Sequence, residues 1–160
     1  MPDAVEALAW GSPDQPGSNT LIAFEGRANV PATLDEWVEG YRLAWETRDA
    51  AAAAALFTPD ATYRSDILEE AHQGREGVRE YWQSVTSTQS EVQVRMGRPF
   101  VDGRRAAVEF WTNMKVQNED VTLPGCLLLD FDDGWLCRRL REYWHFIPGK
   151  QAEPPDEWGA

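Results

Sequence analysis

The chain has 160 residues, of which 42% are hydrophobic and 26% are charged, and its formal net charge at pH 7 is −12. These values fit one globular domain that is large enough to bury a core. The negative charge argues against nucleic acid and against an anionic membrane surface as partners, because both are bound by basic patches. No apolar stretch approaches the ~20 residues that cross a bilayer, and no signal peptide opens the chain, so we expect a cytoplasmic protein.

The two ends of the chain differ in composition from its middle. Residues 1–31 contain several prolines, glycines and serines and lack sustained periodicity, which predicts an N-terminal arm or extension. Residues 149–160 include Pro154-Pro155 and acidic side chains, and we expect a flexible C-terminal tail. The domain itself is predicted to span residues 32–148.

The first predicted helix begins after Thr33, a good N-cap, with Glu36 three residues later completing a capping box. It is expected to end near Asp49. Its apolar members recur at helical spacing: Leu34, Trp37, Val38, Tyr41, Ala44 and Trp45.

A second, short helix is predicted over residues 50–56, which are six alanines and a leucine. A strand over residues 60–65 follows, with Tyr63 and Ser65 on one face. After a loop, the spacing predicts a third helix over residues 75–85.

Four antiparallel strands are predicted between residues 92 and 146, and their turns set a register. Asp133-Gly134 is a strong two-residue hairpin signal because glycine accepts positive φ, and it pairs Gly125 with Glu142. A three-residue loop over residues 118–120 places Asn113 opposite Gly125. Side chains alternate with period 2, so one face of the sheet is expected to meet the helices. The residues predicted on this inner face are Val92, Val94, Met96, Glu109, Trp111, Asn113, Leu123, Gly125, Leu127, Leu129, Phe131, Leu136, Arg138, Leu140, Glu142 and Trp144. The fold class predicted is α+β, with three N-terminal helices packed on a curved antiparallel sheet.

Several short stretches in this order resemble the SnoaL-like branch of the nuclear transport factor 2-like superfamily. The matching pieces are residues 56–61 (LFTPDA), 74–79 (GREGVR), 108–111 (VEFW), 131–134 (FDDG) and 140–144 (LREYW). The resemblance covers roughly residues 33–147 and implies a conical barrel with a strongly curved sheet and a pocket between helices and sheet. It also implies a dimer formed through the sheet, as in many members.

The superfamily hosts polyketide cyclases, steroid isomerases, epoxide hydrolases, dehydratases and non-enzymatic members, so the fold alone leaves the chemistry open. The limonene epoxide hydrolase branch is also similar at residues 121–124 and 140–143. The resemblance aligns Glu142 with a catalytic aspartate of that branch. However, that branch has an Arg-x-Asp triplet where this chain has Glu109-Phe110-Trp111, which argues against the same mechanism.

Glu142 is the strongest candidate for chemistry. It is predicted to point inward opposite Gly125, which leaves room for a ligand because it has no side chain. Among apolar neighbours such as Trp144 its carboxylate is expected to be desolvated, which raises the pKa and suits a general base or acid near neutrality. The alternative is that Glu142 pairs with Arg138 on the same face.

Asn113 and Tyr63 are candidates to orient a water or an oxyanion beside Glu142. Glu109 is the second inward carboxylate, with a pair to Arg138 as its structural alternative. Each tryptophan is expected either to line a ligand pocket or simply to fill the core. The residues expected to line a ligand pocket are the following: Tyr41, Trp45, Ser65, His72, Trp82, Glu109, Trp111, Leu127 and Trp144.

The two histidines and two cysteines are scattered without ligand spacing, and there is no phosphate-binding loop, so we expect no metal and no cofactor. Cys126 and Cys137 are expected to be free and on the face away from the pocket. That outer face is predicted to carry Val108, Phe110 and other apolar residues, which indicates a homodimer. The alternative is that residues 1–31 fold back and cover this apolar face in a monomer.

Two classes of function follow from the sequence. The first is a cofactor-free isomerase, cyclase or dehydratase that acts by proton transfer on a small hydrophobic molecule. The second is a small-molecule binding or sensing module that uses the same pocket without turnover.

Overall fold

The computed structural model describes residues 30–160, so the predicted N-terminal arm lies almost wholly outside the described residues. No helix in this part of the chain is long and apolar enough to cross a membrane. The elements follow in this order: α1 (Leu34–Thr47), α2 (Ala50–Ala55), β1 (Phe57–Arg64), β2 (His72–Gln73), α3 (Gly74–Thr86), β3 (Gln89–Met96), β4 (Phe100–Asp102), β5 (Arg105–Val116), β6 (Glu119–Phe131), β7 (Cys137–Trp144) and β8 (Ile147–Pro148).

The three predicted helices are confirmed, and side chains cap the first two. Thr33 Oγ1 accepts a hydrogen bond from the backbone N–H of Glu36 at 3.2 Å. The Glu36 carboxylate reaches the N–H of Ala32 at 2.7 Å, one residue earlier than a regular capping box. Asp49 caps α2 by accepting from the N–H of Ala52 at 2.9 Å.

The strands form one sheet in the order β2-β1-β7-β6-β5-β3, with β4 paired to β5 and β8 to β6. The α+β class is confirmed, but the sheet is mixed because β1 runs parallel to β7. The purely antiparallel prediction was therefore wrong at this edge. A parallel pair needs a long crossover rather than a hairpin, and here most of the domain separates the two strands.

The turn between β5 and β6 has two residues and not three. Gln117 and Asn118 both adopt positive φ, 50° and 70°, and Val116 pairs with Glu119. The register therefore differs from the predicted one by an odd number of residues, which turns β5 over.

The predicted inner face of β5 was consequently wrong. Val108, Phe110, Thr112 and Met114 are buried on the helix side. The alternate positions lie on the outer face, and the misplaced residues are Glu109, Trp111 and Asn113.

The β6–β7 connection also differs from the prediction. Asp132 Oδ1 accepts hydrogen bonds from the N–H groups of Gly134 and Leu136, both at 2.9 Å, and Trp135 takes the positive φ of 60°. Leu127 therefore pairs with Glu142, two residues from the predicted partner. An even shift preserves the alternation of faces, so Glu142 still points toward the helices.

Both cysteines are free. Cys126 is half-buried, while Cys137 is fully buried in the core cluster. The predicted outward position of Cys137 was wrong because the register shifts between Asp130 and Phe131, which leaves an extra residue, Arg138, at the start of β7 and reverses the alternation there.

The apolar strip that supported a homodimer is not on the surface, since Val108 and Phe110 face the helices. That basis for the homodimer was therefore wrong. Part of the outer face is instead covered by the C-terminal segment, residues 147–160. The sequence predicted a flexible tail over residues 149–160 of this segment.

Hydrogen bonds attach this segment to the sheet. The carbonyl oxygen of Ala152 accepts from Trp111 Nε1 at 2.9 Å and from Asn113 Nδ2 at 3.0 Å. Thr122 Oγ1 donates to the carbonyl of Lys150 at 2.9 Å and accepts from the N–H of Ala152 at 2.8 Å. Two of the predicted site residues, Trp111 and Asn113, thus use their polar atoms to hold the chain terminus.

Gly125→Ala is expected to destabilise the domain by roughly 2–3 kcal/mol, because overpacking in a close-packed core is costly. A Cβ there would lie 2.4 Å from Phe110 Cζ and 2.6 Å from the carbonyl oxygen of Tyr143. Gly134→Ala is the matched control, since the nearest atom to its Cβ, Asp132 Oδ1, is 3.5 Å away and its φ is not positive. Urea unfolding measures both variants, and equal losses would contradict the packing of Phe110 over Gly125.

Candidate functional site

Glu142 meets two tyrosine hydroxyls on the helix side of the sheet. Tyr41 Oη donates to Glu142 Oε1 at 2.9 Å, and Tyr63 Oη donates to the same oxygen. The two hydroxyl oxygens are 2.9 Å apart. The three side chains come from α1, β1 and β7, so they converge only in the folded domain.

Burial raises the pKa of Glu142 to about 7, while the hydrogen bonds from Tyr63 and Tyr41 act in the opposite direction. Within residues 30–160 the Glu142 carboxylate makes no salt bridge, and Arg138 is exposed. The alternative ion pairs of Arg138 with Glu142 or Glu109 are thus not formed. The sequence predicted either a raised pKa for Glu142 or an ion pair with Arg138. The structure has the raised pKa.

The tyrosines remain protonated at neutral pH. Burial, followed by the nearby charge of Glu142, raises the pKa of Tyr41 and of Tyr63 well above the ordinary value. The same causes raise the pKa of Tyr81. All three hydroxyls are therefore hydrogen-bond donors and not bases under physiological conditions.

Glu142 lies on the wall of a cavity of about 250 Å³ between the helices and the inner face of the sheet. The walls are mainly aromatic and aliphatic. The side chains around it are the following: Tyr41, Trp45, Tyr63, Tyr81, Trp82, Val85, Thr86, Thr88, Gln89, Met114, Val116, Leu123, Glu142, Trp144 and Phe146.

The indole N–H groups of this wall differ in their partners. Trp45 Nε1 donates to Gln89 Oε1 at 3.0 Å, and Trp144 Nε1 donates to the carbonyl oxygen of Ser65 at 2.8 Å. Trp82 is only 3% exposed, and its Nε1 has no partner within the described residues. A buried donor without a partner costs about 1–3 kcal/mol.

His72 and Ser65 lie beside this cavity and not in its wall. His72 pairs with Tyr63 across the β1–β2 ladder, and its ring stacks on Tyr81 with centroids 4.4 Å apart. Ser65 Oγ is 3.4 Å from His72 Nε2. Burial lowers the pKa of His72, so the imidazole is neutral near pH 7.

The twelve residues predicted for the site thus divide into six that surround the cavity and six that do not. Six members surround the cavity: Tyr41, Trp45, Tyr63, Trp82, Glu142 and Trp144. Leu127 is fully buried in the core, while Glu109, Trp111 and Asn113 lie on the other face of the sheet. Of the three predicted catalytic residues, Glu142 and Tyr63 meet and Asn113 does not.

Tyr81 and Met114 also belong to this site, and neither is among the site residues predicted from the sequence. Tyr81 stands at helical spacing with Val78 and Val85, which predicts an inward-facing helix position without distinguishing core from pocket. Met114 was assigned to the outer face by the wrong turn length. The signal that could have placed Met114 is Asn118, since asparagine tolerates positive φ and favours a two-residue turn.

Solved structures place this arrangement in a known class of folds. The chain is similar to a hypothetical protein with a ketosteroid isomerase-like fold from Catenulispora acidiphila, solved in complex with trimethylamine. The two are 19% identical with a TM-score of 0.63, over 69% of this chain and 86% of that chain. Two further structures share the fold. One is the epoxide hydrolase/cyclase-like enzyme SalBIII, which has a role in pyran ring formation in the polyether salinomycin; it is 22% identical with a TM-score of 0.61, over 69% of this chain and 89% of that chain. The other is an LEH-like epoxide hydrolase from M. tuberculosis, which is 18% identical with a TM-score of 0.58, over 68% of this chain and 80% of that chain.

The family model for the SnoaL-like domain matches residues 34–139, and the chain belongs to this family within the nuclear transport factor 2-like superfamily. The resemblance stated from the sequence is therefore confirmed. A comparison with curated proteins gives no match. The solved structures above are less than 25% identical to this chain and show the fold alone.

A carboxyl titration is expected to give Glu142 a pKa of about 7. Tyr63→Phe is expected to raise that pKa further, because the ionised form loses a hydrogen bond that favours it. Carbon-13 NMR of labelled glutamate carboxyls measures both values. Tyr143→Phe, at an exposed position on the outer face, is the control and should leave the pKa unchanged. A pKa near 4.5 in the unmodified protein would contradict the desolvated environment.

The same shift makes stability depend on pH. The folded protein holds the Glu142 proton up to about pH 7, while the unfolded chain releases it near the ordinary glutamate pKa of 4.5. Between these values the folded state binds more protons, so the free energy of unfolding should fall as pH rises through this window. Glu142→Gln should lack this component, whereas Glu80→Gln, exposed on α3, should keep it. Urea unfolding from about pH 4 to about pH 8 measures the difference, and identical pH dependence in all three proteins would contradict it.

Proposed function

We propose that this SnoaL-like protein is a cofactor-independent enzyme that transfers a proton on a small, mainly apolar substrate, with Glu142 as the acid–base residue. The observation that carries the proposal is a carboxylate with a pKa of about 7 in the wall of an aromatic cavity, held by two tyrosine hydroxyls and by no arginine. A general acid or base is most effective when its pKa lies near the operating pH.

The two oxygens of Glu142 have different tasks in this mechanism. Oε1 accepts both tyrosine hydroxyls, which fixes the orientation of the carboxylate. Oε2 accepts no hydrogen bond from residues 30–160. It is therefore the oxygen that takes a proton from a bound substrate and returns it to another position.

The cavity limits the substrate class. Its volume of about 250 Å³ is below the ~300–1,000 Å³ typical of pockets for drug-sized ligands. One or two rings, or a short chain, fit this space better than a polycycle. Isomerisation, cyclisation and dehydration of such a molecule all need the proton transfer that Glu142 supplies.

Epoxide hydrolysis by the Arg-x-Asp mechanism is not supported. The inner positions of the middle strand are Val108, Phe110 and Thr112, none of which ionises. Neither face of β5 therefore carries the arginine and aspartate that this mechanism uses.

A second candidate function is a binding or sensing module without turnover. It is favoured by the fact that the hydroxyls of Tyr41 and Tyr63 already donate to Glu142. In that geometry neither is free to donate to an oxyanion on a substrate.

Proton exchange tests the enzyme proposal without knowledge of the natural substrate. Small cyclic ketones that bind, as detected by quenching of tryptophan fluorescence, are incubated with the protein in deuterium oxide. Deuterium incorporation next to the carbonyl is followed by NMR. Glu142→Gln is expected to lower the exchange rate by at least ~100-fold, in line with the usual contribution of general acid–base catalysis. The rate should rise with pH up to about 7 and then level off, because the base must be ionised.

Tyr63→Phe should lower the exchange rate and shift this pH profile upward, while Glu80→Gln should change neither. Ketones that bind in the cavity and show no exchange above the buffer rate would contradict the enzyme proposal. That outcome would leave the binding module as the function of the site.

A further inference from the structure

A second cavity lies mainly on the opposite side of the sheet and meets the inner cavity at Glu142 and Trp144. It is an open cleft of about 650 Å³ that extends across the outer face to the end of β7. Its floor includes one cross-strand row of three residues, Glu109 on β5, Cys126 on β6 and Tyr143 on β7. Residues 65–67, after β1, border the cleft at the sheet edge.

Aromatic side chains line the cleft together with Glu109. Trp111 is two residues along the same face of β5, and Trp158 packs against it edge to face, with ring centroids 6.1 Å apart and an angle of 74°. Tyr143 is 42% exposed in the same row. Trp158 belongs to the C-terminal segment, so the attachment of Ala152 to the sheet helps to build this wall.

The lining of the cleft carries negative charge and no lysine or arginine from the described residues. Glu109 and Asp66 both contribute carboxylates, and neither forms a salt bridge within residues 30–160. The arginines nearby are directed elsewhere. Arg95, beside Trp111, pairs with Glu153 of the C-terminal segment at 2.7 Å, and Arg141 lines a different groove.

We propose that this cleft binds an organic ammonium cation that carries methyl or other small alkyl groups. Aromatic faces attract such a cation through their quadrupole, and quaternary ammonium groups are bound in this way in aromatic cages. The Glu109 carboxylate supplies the opposite charge. The site does not suit a hard metal ion, because such ions need six or more oxygen ligands and the aromatic walls provide none.

This site differs in chemistry from the inner cavity. The inner cavity suits a mainly apolar molecule next to a buried carboxylate whose pKa is raised to about 7, whereas the outer cleft suits a permanent cation next to partly exposed carboxylates. The two cavities adjoin at Glu142 and Trp144, which border both. Binding in the outer cleft does not depend on Glu142 being catalytic.

Choline tests the proposal, with its uncharged carbon isostere as the matched ligand. Isothermal titration calorimetry of the full chain should show choline binding and much weaker binding of the isostere. Added salt should weaken choline binding, since a partly exposed charge pair is screened. Glu109→Gln and Trp158→Leu should each weaken choline binding by roughly threefold to tenfold, as expected for partly exposed ionic and cation–π contacts.

Two variants serve as controls. Glu157→Gln removes one negative charge from the same segment outside the cleft and should keep the choline affinity within about twofold, as expected for a surface charge without a partner. Glu80→Gln, at an exposed position on α3 that lines neither cavity, should likewise keep the affinity within about twofold. Equal affinities for choline and the isostere, or an unchanged affinity in Glu109→Gln, would overturn the proposal.

The competing occupant of this face is a second copy of the chain. Sedimentation velocity at the concentration used for calorimetry distinguishes it. If the unmodified protein is a dimer that does not bind choline, and Trp158→Leu is a monomer, the face is a self-association surface and the cation proposal is wrong. Circular dichroism of Glu109→Gln and Trp158→Leu confirms that weaker binding does not result from unfolding.

Discussion

The two-residue turn at Gln117 and Asn118 is the constraint on which the rest of the domain depends, because it joins the two longest strands and sets their register. With this turn, Phe110 faces the helices and packs over Gly125, and Met114 becomes part of the inner cavity. One more residue in the turn would place Glu109 beside the helices, where its charge would need a partner. The single-residue difference therefore decides which chemistry each face of the sheet carries.

The inner face gathers its functional groups from distant parts of the chain. Tyr41 and Tyr63 precede Glu142 by 101 and 79 residues, yet both hydroxyls reach the same carboxylate oxygen. Their donation stabilises the ionised form, while burial opposes it more strongly, and the balance leaves the pKa near 7. Since the tyrosines are themselves buried and protonated, the cluster has one proton that can be exchanged near neutral pH. That is the property an acid–base enzyme needs and a purely structural cluster does not.

The outer face is shaped by the C-terminal segment. Its carbonyl groups accept hydrogen bonds from Trp111, Asn113 and Thr122, and its Trp158 packs on Trp111. These contacts satisfy polar groups of strands that would otherwise face solvent and turn an open sheet surface into a cleft. The two faces thus have opposite character, one enclosed and mainly apolar, the other open and negatively charged.

The sequence by itself determined the three helices, the Thr33 cap, the inward direction of Glu142 and the family. The helices and the direction of Glu142 follow from local side-chain patterns, while the family follows from short stretches that resemble it. The error in the β6–β7 register was even, so it preserved the faces. Only the tertiary structure decided the parallel pairing of β1 with β7, the turning of β5, and the meeting of Tyr41 with Glu142. It also decided the docking of residues 147–160, of which composition had indicated residues 149–160 as a tail. The physical reason is that these features depend on the parity of one turn and on contacts between segments far apart in the chain, neither of which local side-chain patterns encode.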